Sequence, residues 1–470
     1  MPARTPIAVT CPTDHPPSEP LPSNGTSSSV DDMTDPSSLG QPGEAHLPET
    51  NADLPTNTWF TPGVRGIGTA SLLSDLGHEI PTSLLPSLLT VTLGAPAAAL
   101  GLVEGIADGL AGAAKFAGGP LGDDPHRRRA TAVAGYTATA VLSAAIGGAT
   151  SVAQVAVLRA GAWASRGLRV PARNALLADV VHPSAYGRAY GFERAMDNLG
   201  AVGGPLLALL LVALVGTRWA ITLSVIPGLL AVLAILYAIR KAPKLADRPR
   251  RPLRFKVRPV LHGRLGRLMV GITFFEIGNV AATLLILRAT QQLTPDLGLD
   301  RATTLALLLY AGYNLAATLA SVPAGRISDG MGKRGPQRVL FAGIVMFALA
   351  YAGFAANTSN TWLLLLPFLL AGVAIGFVET AEHAAVAAEA PDEIRGSAFG
   401  LLAAVQSFGN LVASAIAGLL WTLVSPTAAF GYLVAWMIAA AIAIALAHRS
   451  KPPHNEPPHR KGPGRVKPIH

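Results

Sequence analysis

Long apolar blocks, separated by short polar segments, run through the chain from about Gly66 to about residue 447. A helix of ~20 residues, rising 1.5 Å each, spans the ~30 Å hydrocarbon core of a bilayer. Barrel strands are about ten residues long and alternate in polarity, whereas these blocks are longer and rich in Leu and Ala, so the pattern predicts helices. Twelve spans are predicted, at 67–90, 97–121, 131–149, 151–176, 188–213, 218–239, 266–288, 303–324, 339–357, 361–386, 397–423 and 427–447. They form two sets of six, 66–239 and 266–447, joined by a linker, 240–265, and followed by a tail, 448–470. Residues 1–65 are rich in Pro, Ser, Thr, Asp and Glu. They bury too little apolar surface to offset chain entropy and are expected to be disordered. They lack the basic-then-apolar start of a secretory signal peptide.

Composition agrees with a membrane protein. Half of the 470 residues are hydrophobic and 14% are charged, against about 25% charged in a soluble domain. The formal charge of +9 raises the question of nucleic acid, but the basic residues sit in short segments between apolar blocks. The linker region holds Arg240, Lys241, Lys244, Arg248, Arg250, Arg251, Arg254, Lys256, Arg258, Arg264 and Arg267 against Asp247 alone. Further clusters are Arg127, Arg128 and Arg129; Arg326, Lys333, Arg334 and Arg338; and Arg449, Lys451, Arg460, Lys461, Arg465 and Lys467. Such segments mark cytoplasmic loops, and all fall on one side when the span count is even. Both termini are therefore expected in the cytoplasm, in a multi-pass protein of the plasma membrane, with no nucleic-acid partner. The lone Cys11 forms no intrachain disulfide, no Cys/His metal spacing is present, and neither metal nor cofactor is expected.

The two halves resemble each other. Gly119-Pro-Leu-Gly-Asp123 with Arg127 and Arg128 aligns with Gly325-Arg-Ile-Ser-Asp329 with Lys333 and Arg334 at a constant offset. Gly187-Arg-Ala-Tyr-Gly191 aligns with Gly396-Ser-Ala-Phe-Gly400 at nearly the same offset. Gly, Ala and Arg are frequent here, so a single match carries little; two in the same order argue against chance. Weak symmetry between two six-span halves is an architecture of secondary transporters, whose binding site lies between the repeats near the midplane.

Gly325-Arg-Ile-Ser-Asp329-Gly-Met-Gly332-Lys333-Arg334 resembles the loop signature between the second and third helices of each half in the major facilitator superfamily. The resemblance covers residues 67–447. It implies an all-α fold of twelve transmembrane helices in two pseudo-symmetric six-helix bundles around a central cavity, with every third helix peripheral. Asp75 and Glu79 before Pro81, Gly101-Leu-Val-Glu104-Gly-Ile-Ala-Asp108, Arg166-Gly-Leu-Arg169 with Arg173 and Asp179, and Arg395-Gly-Ser-Ala-Phe-Gly400 are similar to a poorly characterised bacterial and archaeal branch. By resemblance, the loop groups Gly119, Asp123, Arg127 and Arg128, and Gly325, Asp329, Lys333 and Arg334, latch one access state by pairing with neighbouring helix ends. The alternative is that their basic residues only fix topology. The sequence departs from the family at three places. Ala162-Trp163 stands near a usual Asp-Arg pair. Asp123-Asp124-Pro125-His126 replaces a Gly-bearing turn. Gly200, Gly204 and Pro205 match part of an antiporter signature, without its following glycine pair.

A charge at mid-bilayer costs at least ~2.5–3.5 kcal/mol, so each one asks for a reason. Charges fall in spans one (Asp75, His78, Glu79), two (Glu104, Asp108, Lys115), four (Arg159, Arg166, Arg169, Arg173), five (Glu193, Arg194, Asp197), seven (Glu276) and ten (Glu379, Glu382, His383). Spans three, six, nine and twelve hold none; spans eight and eleven hold Asn314, Gln406 and Asn410. Asp75 and Glu79, like Glu104 and Asp108, are four apart and share a helix face. Like charges there repel unless one is protonated or a cation intervenes, so such carboxyls can load and release protons. Arg166, Arg169 and Arg173 line one side of span four and must meet carboxylates, carbonyls or an anionic solute. Candidate substrate or proton-coupling residues are therefore Asp75, Glu79, Glu104, Asp108, Arg166, Arg169, Asp197, Glu276, Asn279, Asn314, Glu379 and Glu382. The competing reading is a structural salt-bridge network within the first half.

The expected function is secondary active transport of a small solute by alternating access, proton-coupled and directed to efflux. Import of an anionic metabolite with protons, or a non-transporting sensor, are the alternatives. No phosphate loop, metal-binding helix or Ser/His constellation points to an enzyme.

Overall fold

The computed structural model describes residues 58–242, 252–254, 256–358 and 360–449. Cys11 and most of the expected tail, Lys244, Asp247, Arg248, Arg250 and Arg251 of the linker, and the basic residues after Arg449 lie outside the described residues. The first half comprises α1 (Pro62–Ser87), α2 (Ala97–Asp123), α3 (Pro125–Ala145), α4 (Val152–Asp179), α5 (Tyr186–Leu223) and α6 (Val225–Arg240). One linker turn, α7 (Val257–Val260), precedes the second half. That half comprises α8 (Gly263–Gly278), α9 (Ala282–Leu297), α10 (Leu299–Gly330), α11 (Gly335–Ala355), α12 (Thr361–Glu389), α13 (Arg395–Leu423) and α14 (Pro426–Arg449). No strand occurs among the described residues.

These helices make twelve membrane spans in two six-span bundles. α5 carries span five and the start of span six, broken at Gly216, whose φ of 78° is open to glycine and strained for other residues. Span six is shared between α5 and α6, and span seven is broken by non-helical backbone. It divides into α8 and α9 at Asn279-Val280-Ala281. Eight segments are long and apolar enough to cross a membrane on length and composition alone. α1, α2 and α4 are not among them, and α6 by itself is only 16 residues long.

Local chemistry fixes the helix starts. Thr61 Oγ1 accepts from Val64 N at 3.2 Å, with Pro62 in the first turn. Asp124 accepts from His126 N at 2.8 Å and Arg127 N at 3.1 Å, with Pro125 following. The acidic replacement of the usual glycine turn is thus an N-cap followed by Pro at N1. Within the bundles, small residues allow close approach in place of hydrophobic driving force. A Cβ on Gly118 would lie 2.5 Å from Leu168 O, and one on Gly167 2.5 Å from Ala111 O, so α2 and α4 run backbone to backbone.

Candidate functional site

A cavity of about 650 Å³ lies between the halves, lined by α2, α4, α5, α8, α12 and α13 and by the break in span seven. α3, α6, α11 and α14, the charge-free spans, contribute nothing to it. Of the candidates, Asp108, Arg166, Arg169, Asp197, Glu276, Asn279 and Glu379 line the cavity. Asp75, Glu79 and Glu104 lie in a layer behind, Glu382 is fully buried beside the cavity, and Asn314 turns back to donate to Tyr310 O at 3.0 Å. Lining residues that the sequence did not mark as site candidates include Trp163, Ser407 and Phe408. Trp163 was legible in principle, since it sits four residues after Arg159 and three before Arg166, on the arginine face.

The first-half wall is a closed charge network. Arg159 Nη2 donates to both oxygens of Glu104 at 3.0 Å and its guanidinium lies 3.3 Å from the Trp163 ring centroid. Trp163 Nε1 donates to Asp108 at 2.9 Å. Arg166 reaches Asp75 at 3.4 Å, and His78 bridges Asp75 and Glu79 at 3.3 Å each. Arg173 pairs with Glu193 at 2.8 Å and Asp197 at 3.4 Å; Arg194 pairs with Glu193 at 2.7 Å and Asp197 at 3.1 Å. Arg169 has no carboxylate, but donates to Ser74 Oγ at 2.7 Å and stacks 3.8 Å from the Tyr136 ring. Gly200 and Gly204, the partial antiporter motif, bring α5 against α1. A Cβ on Gly200 would lie 2.7 Å from Leu72 O.

The second-half wall is different. Glu276, 3% exposed, accepts from Asn279 Nδ2 at 3.0 Å. Glu382, 0% exposed, accepts from Gln406 Nε2 at 3.0 Å on one oxygen and has no partner on the other. Among the described residues no Lys or Arg nitrogen lies within 4.0 Å of Glu276, Glu379 or Glu382. Glu276 and Asn279 sit at the end of α8, where the helix breaks. The freed backbone is satisfied by side chains: Ala281 N donates to Ser414 Oγ at 3.0 Å, Val280 N to Tyr351 Oη at 3.3 Å, and Asn279 O accepts from Asn410 Nδ2 at 2.9 Å. Irregular backbone at membrane depth is tolerated where protein or a cavity replaces lipid.

At the end bearing the basic loops the halves meet without a gap. Asp329 accepts from Gly187 N (2.8 Å), Arg188 N (3.0 Å) and Arg188 Nε (2.7 Å) at the start of α5. Asp123 accepts from Ser397 N (2.8 Å) and Ser397 Oγ (2.6 Å) at the start of α13. Each loop aspartate thus caps a helix N-terminus of the opposite half, where unpaired N–H groups and the helix dipole favour an anion. Gly325 packs on Gly187, and Gly119 and Gly122 pack on Gly396 and Gly400. Arg127, Lys333 and Arg334 pair with neither aspartate, and Lys333 and Arg334 are exposed. Arg128 is fully buried, holding Asp179, Gly122 O (2.7 Å) and Asp392 (3.7 Å). Arg128→Met leaves Asp179 and Asp392 to Arg395 (3.8 and 3.2 Å) and frees Gly122 O, and is expected to cost about 1–3 kcal/mol. Lys333→Met should stay within about 0.5 kcal/mol. Reversible unfolding in detergent checks both. At the other end the halves part: Cβ positions on Gly101, Gly105 and Gly109 of α2 meet nothing within 4 Å.

A family model described as Major Facilitator Superfamily matches residues 67–308 and 268–469. An uncharacterised MFS-type transporter of Methanocaldococcus jannaschii is 27% identical over 82% of this chain and 93% of its own length. An uncharacterised protein of Mycobacterium tuberculosis is 26% identical over 78% and 88%. Among solved structures, the proton:xylose symporter XylE superposes with a TM-score of 0.62 at 16% identity, covering 83% of this chain and 96% of that one. The human organic anion transporter MFSD10 gives 0.61 at 18% identity over 81% and 99%, and a bacterial homologue of ferroportin in the outward-facing state 0.60 at 16% over 82% and 98%. At these identities the structures speak for the fold. The two matches, which together cover the twelve spans around the cavity, place this chain in the major facilitator superfamily, a family of secondary transporters.

Proposed function

We propose that the chain carries a small solute by alternating access, in exchange for protons held on Glu276, Glu379 and Glu382. The supporting observation is the contrast between the walls. The first-half carboxylates have cationic or hydrogen-bonding partners, whereas the three second-half carboxyls have no basic partner within 4.0 Å among the described residues. Burial of an unpaired carboxylate is expensive, so protonation and deprotonation of such groups respond to access from either side. The structural-network alternative describes the first half well. It also weakens import of an anion, since Arg159, Arg166, Arg173 and Arg194 already hold carboxylates.

With the basic loops in the cytoplasm of a plasma-membrane protein, the closed end faces inward and the cavity faces outward. In that state an exporter takes up protons and has released its solute. The test is internal pH in proteoliposomes as solutes are added. A solute-evoked change is expected in wild type and absent in Glu276→Gln. Asp108→Asn, whose amide oxygen still accepts from Trp163, should lose less than about tenfold. Flux of a labelled solute with no pH change in wild type would leave a uniporter. Solute binding with no flux would point to a sensor.

A further inference from the structure

The charges between the helix ends do not balance, and the imbalance belongs to one half. α1, α2, α4 and α5 carry six carboxylates (Asp75, Glu79, Glu104, Asp108, Glu193, Asp197) and six cations (Lys115, Arg159, Arg166, Arg169, Arg173, Arg194) at this depth. The second half carries Glu276, Glu379 and Glu382 there with no Lys or Arg. Its Arg288 is committed to Phe354 O at 2.9 Å and Ala356 O at 3.2 Å, in the α11 terminus away from the basic loops. We infer that the cavity takes a compact organic cation, an amine or quaternary ammonium, against Glu276 and Glu379, and that Lys115 holds this place in the unloaded state.

Lys115 is the one cation of the first-half network that has neither a carboxylate within 4.0 Å nor an aromatic face. Its Nζ donates to Ser407 Oγ of α13, in the other half, at 2.7 Å. Glu276 and Asp108 attract it, and Arg166 and Arg194 repel it. An anionic solute finds four of the arginines paired and Arg169, 2% exposed, packed on Tyr136. It would meet Lys115 alone, facing the acidic wall. A cation meets that wall together with the exposed ring of Phe408, which is able to give cation–π contact. A volume of about 650 Å³ suits a small or drug-sized molecule. Proton competition enters because the same carboxyls serve both ligands. The charged groups that act on Glu379 are Arg194, Asp197, Glu193 and Arg173 of the first half. Those that act on Glu276 are Glu379 and Lys115, and on Glu382, Glu276 and Glu379. The inference rests on the proton-exchange reading for its transport role but not for binding.

Tetraphenylphosphonium and tetraphenylborate share size and shape and differ in sign, so they make a matched probe pair. Their binding to the full-length detergent-purified protein is read by thermal stabilisation. Tetraphenylphosphonium, and the smaller tetraethylammonium, are expected to stabilise the protein, and less so as pH falls from 8 to 5.5. Tetraphenylborate should not stabilise it. Glu379→Gln should weaken cation binding at least about tenfold, and Lys115→Met should tighten it by roughly tenfold through loss of a competing charge. Lys115→Arg, which keeps the charge, should stay near wild type. Equal or stronger stabilisation by tetraphenylborate, no stabilisation by either cation, or weaker cation binding in Lys115→Met would each overturn the inference. Cation binding that ignores pH would instead remove proton exchange and leave the cation site standing. Proton movement evoked only by neutral solutes would do the reverse.

Discussion

Glu382→Gln is expected to abolish uphill solute accumulation, by about 100-fold or more (~2.7 kcal/mol in rate terms), while solute-for-solute exchange continues near the wild-type rate. Glutamine matches the shape of the protonated acid and cannot release a proton. Glu382 is fully buried, outside the cavity lining, and holds Gln406 through one oxygen only. Its replacement therefore leaves solute contacts in place and removes one site of proton loading. The same change should raise thermal stability, most visibly at high pH, because an ionised carboxylate there lacks a basic partner and the amide does not pay desolvation of a charge. Paired uptake and exchange assays in proteoliposomes separate the two outcomes. Uphill transport at the wild-type level would show that Glu382 stays protonated throughout and takes no part in coupling.

Gly325→Val should block transport by a comparable factor for a different reason. A Cβ at this position would fall on the Gly187 carbonyl and within 2.9 Å of Arg188 N. Both are backbone atoms at the helix start held by Asp329, so the contact has little room to relax. Overpacking of this kind typically costs 1–3 kcal/mol and occasionally more, and moving a two-state population from 1:99 to 99:1 takes about 5.5 kcal/mol. Separation of the halves at the basic-loop end is the available relief. Ser328, fully buried in this closed state, reports it: in a Cys11→Ser background, Ser328→Cys should react with a maleimide much faster when Gly325→Val is added. Gly330→Ala, whose Cβ meets nothing within 4 Å, is the control. Unchanged labelling would mean that this glycine contact does not set the access state.

Much of this architecture is readable from the chain because lipid imposes one dominant rule. Apolar length gives the spans, and the cost of a buried charge makes each Asp, Glu or Arg within them conspicuous. The division of those charges between network and cavity is not readable in the same way. Asp75 and Glu79 look like coupling groups by spacing, yet Arg166 and His78 take them up from neighbouring positions in space. Glu276, with Asn279, is a candidate from the sequence as the lone acid of its span. Its importance comes from a helix break that hydropathy cannot register, because Asn279-Val280-Ala281 contains neither Pro nor Gly. Side chains of other helices, Ser414, Tyr351 and Asn410, stabilise that break. The loop aspartates and their pairing with helix ends follow from the resemblance, but not which N–H, Arg188 and Ser397 groups they take.

The unequal walls also have an electrical consequence. A charge carried across the full membrane field is worth about 2.3 kcal/mol per 100 mV. With its carboxyls ionised, the second half brings three negative charges into the moving core, while the first half brings none on balance. Protons or a bound cation cancel part of that charge. The membrane voltage then pulls hardest on the unloaded, ionised carrier and weakly on the loaded one, so the potential sets the pace of the empty return step more than that of solute translocation.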